Sequence, residues 1–91
     1  MKCANELNSQ AVKYYEQYAK DYAVSIGLSY DSTATDCWDN PIIVTDTNGS
    51  SVIRDIKSRL KTYKNVEGFE SICVWSEIRS DGKYDLYIGY A

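Results

Sequence analysis

Two runs of strand-forming residues near the C-terminus constrain this chain most. Ile72-Cys73-Val74-Trp75-Ser76-Glu77-Ile78 and Tyr84-Asp85-Leu86-Tyr87-Ile88-Gly89-Tyr90 flank Ser80-Asp81-Gly82. An Asp-Gly pair between such runs predicts a β-hairpin. Burial then selects the register. A two-residue Asp81-Gly82 loop pairs Trp75 with Ile88 and Ile78 with Asp85, and scatters apolar residues over both faces. A three-residue loop with Gly82 in a left-handed bulge position pairs Ile78 with Tyr84, Ser76 with Leu86, Val74 with Ile88 and Ile72 with Tyr90. One face is then nearly all apolar. A one-residue slip turns every side chain over, so the second register is expected. Cys73, Trp75, Glu77 and Arg79 then share the opposite face with Gly89, Tyr87, Asp85 and Lys83, and Trp75 pairs with Tyr87 across the strands.

The remaining elements follow from periodicity. Leu7, Ala11, Tyr15, Tyr18, Tyr22 and Ile26 recur at helical steps, which predicts an amphipathic helix over residues 5–26. Asn5 is suited to cap it, Gly27 to end it, and Glu16–Lys20 to brace it. Leu28-Ser29-Tyr30 reads as a short edge strand, followed by the polar, turn-rich stretch 31–40. Pro41-Ile42-Ile43-Val44-Thr45-Asp46 reads as a buried strand and Thr47-Asn48-Gly49 as a turn. Ser50 or Ser51 then caps a second helix to about Lys64, with Val52, Ile53, Ile56, Leu60 and Tyr63 as its apolar stripe and Asp55–Arg59 as an ion pair.

The expected architecture is a two-layer α+β domain spanning residues 1–91, in the order α-(β)-β-α-β-β. A small sheet carrying the C-terminal hairpin packs against two helices. The strand from Ile42 should lie beside one hairpin strand, with a right-handed crossover if the pairing is parallel. Helices on the apolar face leave the Trp75–Tyr87 face to solvent or to a partner.

Composition narrows the chemistry. The chain has no His, which removes the commonest general base, the commonest metal ligand and any imidazole triad. Cys3, Cys37 and Cys73 are widely spaced, with neither metal-ligand nor disulfide-framework spacing, and free thiols fit a reducing cytoplasm. Cys37 has no adjacent cation to activate it, and Cys73 reads as a small packed residue. No phosphate-binding glycine pattern, calcium-loop pattern, signal peptide or membrane-spanning run is present. No catalytic residues, metal site or cofactor are therefore expected, and the chain does not read as an enzyme. A net charge of −3 and a pI near 4.8 set the overall field against nucleic acid and anionic membranes.

Binding is what remains. The first candidate surface is Trp75 and Tyr87 rimmed by Glu77, Asp85, Arg79 and Lys83, with Trp38, Asp36 and Asp39 in an acidic segment that has no basic residue between Asp21 and Arg54. In this reading the aromatic face anchors a protein partner, and the Asp-rich loop blocks a basic groove, such as that of a nucleic-acid-binding complex. Small phage or mobile-element inhibitors of host defence, anti-CRISPR proteins included, share that general character. This is a likeness of kind, carried by no motif. The alternative is a nucleic-acid-binding accessory protein that uses the stripe Arg54, Lys57, Lys61 and Lys64 on the second helix. A third reading is a homo-oligomer joined through the hairpin edge.

Overall fold

The computed structural model describes the backbone of residues 2–45 and 49–91, and side chains from Ala11 onward. The elements are α1 (Lys2–Ser25), β1 (Ser29–Tyr30), β2 (Ile42–Val44), α2 (Gly49–Thr62), β3 (Ser71–Ile78) and β4 (Tyr84–Tyr90). They form a small α+β fold with a four-stranded mixed sheet in the order β1-β3-β4-β2. The Thr47-Asn48 part of the expected turn, Asp46, and the side chains of Cys3 and Leu7 lie outside the described residues.

The hairpin takes the register that burial demands. Ile78 pairs with Tyr84, Ser76 with Leu86, Val74 with Ile88 and Ile72 with Tyr90. Its loop closes with Arg79 N–H on the Lys83 carbonyl at 2.7 Å and Gly82 N–H on the Arg79 carbonyl at 3.1 Å. Gly82 sits at φ +85°, the left-handed residue the bulge requires. β2 pairs with β4 antiparallel, so the right-handed crossover rule does not apply to it. β1 is the edge strand, parallel to β3.

The inward residues Ile72, Val74, Leu86 and Ile88 join Ile42 and Val44 from β2 in one core with Val52, Ile56 and Leu60 of α2 and Val12, Ala19 and Ala23 of α1. Both helices therefore cover the same face of the sheet. Full burial of a Leu or Ile side chain is worth about 1.5–3 kcal/mol, so these residues supply the main drive to fold.

The helix ends depart from expectation in instructive ways. α1 begins at Lys2, so Asn5 lies within the helix and is not its cap. Its C-terminus is as expected, with Gly27 at φ +98° and Leu28 N–H returning to the Ala23 carbonyl at 2.9 Å. α2 passes into one wide turn of π-helix over Tyr63–Glu67, closed by Gly68 at φ 75° with its N–H on the Tyr63 carbonyl. The two expected helix-face ion pairs are replaced by tertiary contacts. Glu16 accepts from the Ser76 hydroxyl, Lys20 lies 4.7 Å from the centre of the Tyr30 ring, and Arg59 donates to the Asn40 carbonyl. Each holds a helix to the sheet or to the loop beside it. That serves the fold better than an exposed pair worth a few tenths of a kcal/mol.

Candidate functional site

The sheet face away from the helices is built by strand alternation. It receives Cys73, Trp75 and Glu77 from β3 and Asp85, Tyr87 and Gly89 from β4. Trp75 and Tyr87 face each other across the strands and stack nearly parallel, 5.4 Å between centres and 6° apart. Trp38 stands on edge against both, 5.8 Å from Trp75 at 83° and 6.3 Å from Tyr87 at 89°. Perpendicular contact suits the positive rim of one ring and the negative face of the other. In the resulting three-ring cluster Trp38 is 48% exposed, while Trp75 and Tyr87 are partly buried.

Trp38 arrives there because the chain ahead of β2 runs along the end of β4. Tyr90 N–H donates to the Cys37 carbonyl at 3.1 Å, and Trp38 lies opposite Gly89. Gly89 is what admits this path. A Cβ at that position would overlap the Ala34 carbonyl oxygen and press within 3.0 Å of the Trp75 ring. The loop over residues 31–40 therefore lies against the sheet and buries Ala34, Cys73 and Gly89. Asp31 folds its start, accepting from Thr33 N–H at 2.9 Å and Thr33 hydroxyl at 2.7 Å, which holds the Asp31 carboxyl below its ordinary pKa. The expectation of a fully open Trp75–Tyr87 face is thus corrected: the loop covers the Cys73–Gly89 end, and the rings remain accessible beyond it.

The charged rim is partly neutralised. Arg79 bridges Asp85 at 3.1 Å and Asp81 at 3.3 Å. Glu77 is exposed, as is Lys83. Desolvation, then the negative charges of Glu77 and Asp85, raise the Tyr87 hydroxyl above the usual tyrosine pKa. The neutral phenol is favoured there, which keeps the ring surface uncharged.

The acidic residues near Trp38 do not gather around it. Asp36 stands exposed on the loop. Asp39, one residue after Trp38, turns to the other side. It accepts from the Tyr63 hydroxyl at 2.9 Å and from the Tyr90 hydroxyl at 3.5 Å. Tyr63, Phe69 and Tyr90 form a second ring cluster there, with Phe69 and Tyr90 stacked at 4.3 Å. Burial first, and then the Asp39 carboxylate, push the Tyr63 hydroxyl far above its ordinary range. Together with the Arg59–Asn40 contact, this tether fixes the loop from below while Trp38 rests on the sheet from above. Asp39 is thus a positioning residue for Trp38.

The alternative basic set is also divided. Arg54, Lys57 and Lys61 are exposed on α2. Lys64 leaves the stripe, with its ammonium 3.4 Å from the Gly27 carbonyl at the end of α1. There it complements the carbonyl end of that helix.

Sequence reasoning missed Ile43. It projects outward opposite Asp85 and is 43% exposed, so it extends the apolar area beside the rings. The signal was available in strand alternation: Ile42 and Val44 are buried and Ile43 between them is not. Among the described residues, no group of His, Cys, Asp and Glu is placed to hold a metal ion, and no helix is long and apolar enough to cross a membrane.

Comparison with family models, curated proteins and solved structures finds no match to this chain.

Proposed function

We propose that this chain is a small non-enzymatic binding protein that docks on a protein partner in the cytoplasm and blocks it. Trp38, Trp75 and Tyr87 form the anchor, and the exposed Glu77 and Asp36, with Asp85 bridged to Arg79, supply negative charge at its rim and on the adjoining loop. The supporting observation is the partly exposed three-ring cluster on the helix-free face of the sheet, whose most open ring, Trp38, is delivered by a loop tethered on its far side. Large rings of low conformational freedom surrounded by charge are the usual composition of a binding hot spot. An acidic surround favours a basic partner and speeds its capture. A nucleic-acid-binding groove has that charge, and occlusion of such a groove is how a phage-type inhibitor of host defence, of the anti-CRISPR kind, would act.

The experiment is capture from nuclease-treated host lysate with the tagged protein and with a Trp38→Ala/Tyr87→Ala variant. Wild type should retain a stoichiometric protein that the variant loses, while circular dichroism shows the variant folded. Equal capture by both would remove the ring cluster from the interface.

A further inference from the structure

We infer that the exposed face of α2 is a contact site for the phosphate backbone of duplex nucleic acid, distinct from the aromatic face. Ser50, Ile53, Arg54, Lys57, Ser58 and Lys61 line one shallow groove of about 520 Å³. Their three- and four-residue spacing places them on one side of the helix. Arg54 and Lys61 are seven residues apart, a rise of about 10 Å.

Three features of the groove define its ligand. First, its cations are not ion-paired: among the described residues the ion pairs are those of Arg79, on the hairpin. Among the described residues, the side-chain partner of Arg54 is the Ser51 hydroxyl at 3.5 Å. Asp55 borders the neighbouring cleft with Arg59, not this groove. Second, Ser50 and Ser58 add hydroxyl donors between the cations. Cations interleaved with small hydroxyls are the groups that contact phosphate and sugar oxygens. Third, no aromatic side chain lines the groove among the described residues. Single strands are gripped largely by stacking bases on rings, so the groove matches backbone contact to a duplex, without sequence preference.

The net charge of −3 opposes approach at long range. At physiological salt, however, the screening length is about 8 Å. The loop's Asp39 reaches the C-terminal end of α2, where it meets Tyr63 and lines the neighbouring cleft with Asp55 and Arg59, not this groove. At contact, the field in the groove is that of Arg54, Lys57 and Lys61.

The test is fluorescence anisotropy with a short mixed-sequence DNA duplex over a range of salt. Binding should be weak and should fall with a log–log slope of about −2.7, from three phosphates at about 0.9 each. Arg54→Gln alone should shorten the slope by about one, and Arg54→Gln/Lys57→Gln/Lys61→Gln should abolish binding with the fold intact by circular dichroism. Lys64→Gln should leave the slope unchanged, because that ammonium caps α1. Trp38→Ala should also leave it unchanged, which separates this site from the proposed protein interface. Absence of binding at low salt would overturn the inference. So would a folded triple variant that binds as wild type, tighter binding of single strand than duplex, or equal competition by polyglutamate of matched charge.

Discussion

Gly89 decides where the acidic loop lies. Any side chain there displaces the Ala34 carbonyl and presses on Trp75. Gly89→Ala should cost about 1–3 kcal/mol in urea unfolding, as overpacking does. It should also lift the loop, which tryptophan emission would report as a red shift; unchanged stability and emission would contradict this reading of the contact. A second residue-scale effect concerns the tyrosines. Tyr30, Tyr63, Tyr87 and Tyr90 all have pKa values raised in the folded chain, chiefly by desolvation. Unfolded tyrosine ionises near pH 10. Above that pH the unfolded state has lost protons that the folded state retains, so stability falls as pH rises. Below it the contribution is fully present. Denaturation midpoints should therefore hold to about pH 9.5 and then decline, and Tyr63→Phe should make the decline shallower. A wild-type midpoint that is flat to pH 11 would refute the assignment. Part of this site was legible in the residues. A glycine inside an aromatic strand signals close approach of another backbone. What the sequence does not reveal is that Trp38 and Asp39 turn to opposite sides, because that depends on pairing with β4, some fifty positions away.

At the scale of elements, the hairpin carries the strongest local information, and its register follows from alternation and one turn glycine. Gly82→Ala should cost about 1–2 kcal/mol, the penalty of a left-handed conformation with a side chain, since nothing crowds the position. Leu86 lies at the centre of the sheet and is fully buried, so Leu86→Ala should cost about 2–5 kcal/mol. If the costs came in reverse order, the turn rather than the core would be what holds the hairpin. The wide turn at Tyr63–Glu67 is the element least legible in the sequence. Its residues are ordinary for a helix, and only the closing Gly68 marks the end. The stretch 31–40 lacks periodicity for a related reason: its structure comes from Asp31, Gly89 and Tyr63, and only the first lies in the stretch itself.

At the scale of the whole molecule, two layers separate two kinds of surface. The helix layer presents cations on α2, and the sheet presents rings and carboxylates. The α+β layering was readable because both helices and the hairpin carry strong apolar periodicity. The order β1-β3-β4-β2 was only partly so, since β1 and β2 are two and three residues long and are placed by their neighbours. The ring cluster is proposed as a docking face, with Trp38 there for a partner more than for the fold. Quantitative capture from nuclease-treated host lysate, comparing wild type with Trp38→Ala/Tyr87→Ala, tests it most directly. Wild type should retain a stoichiometric protein that is reduced at least tenfold with the folded variant, a loss of about 1.4 kcal/mol or more. Equal retention, or a variant that fails to fold, would place the rings in the structure of the chain and not at its interface.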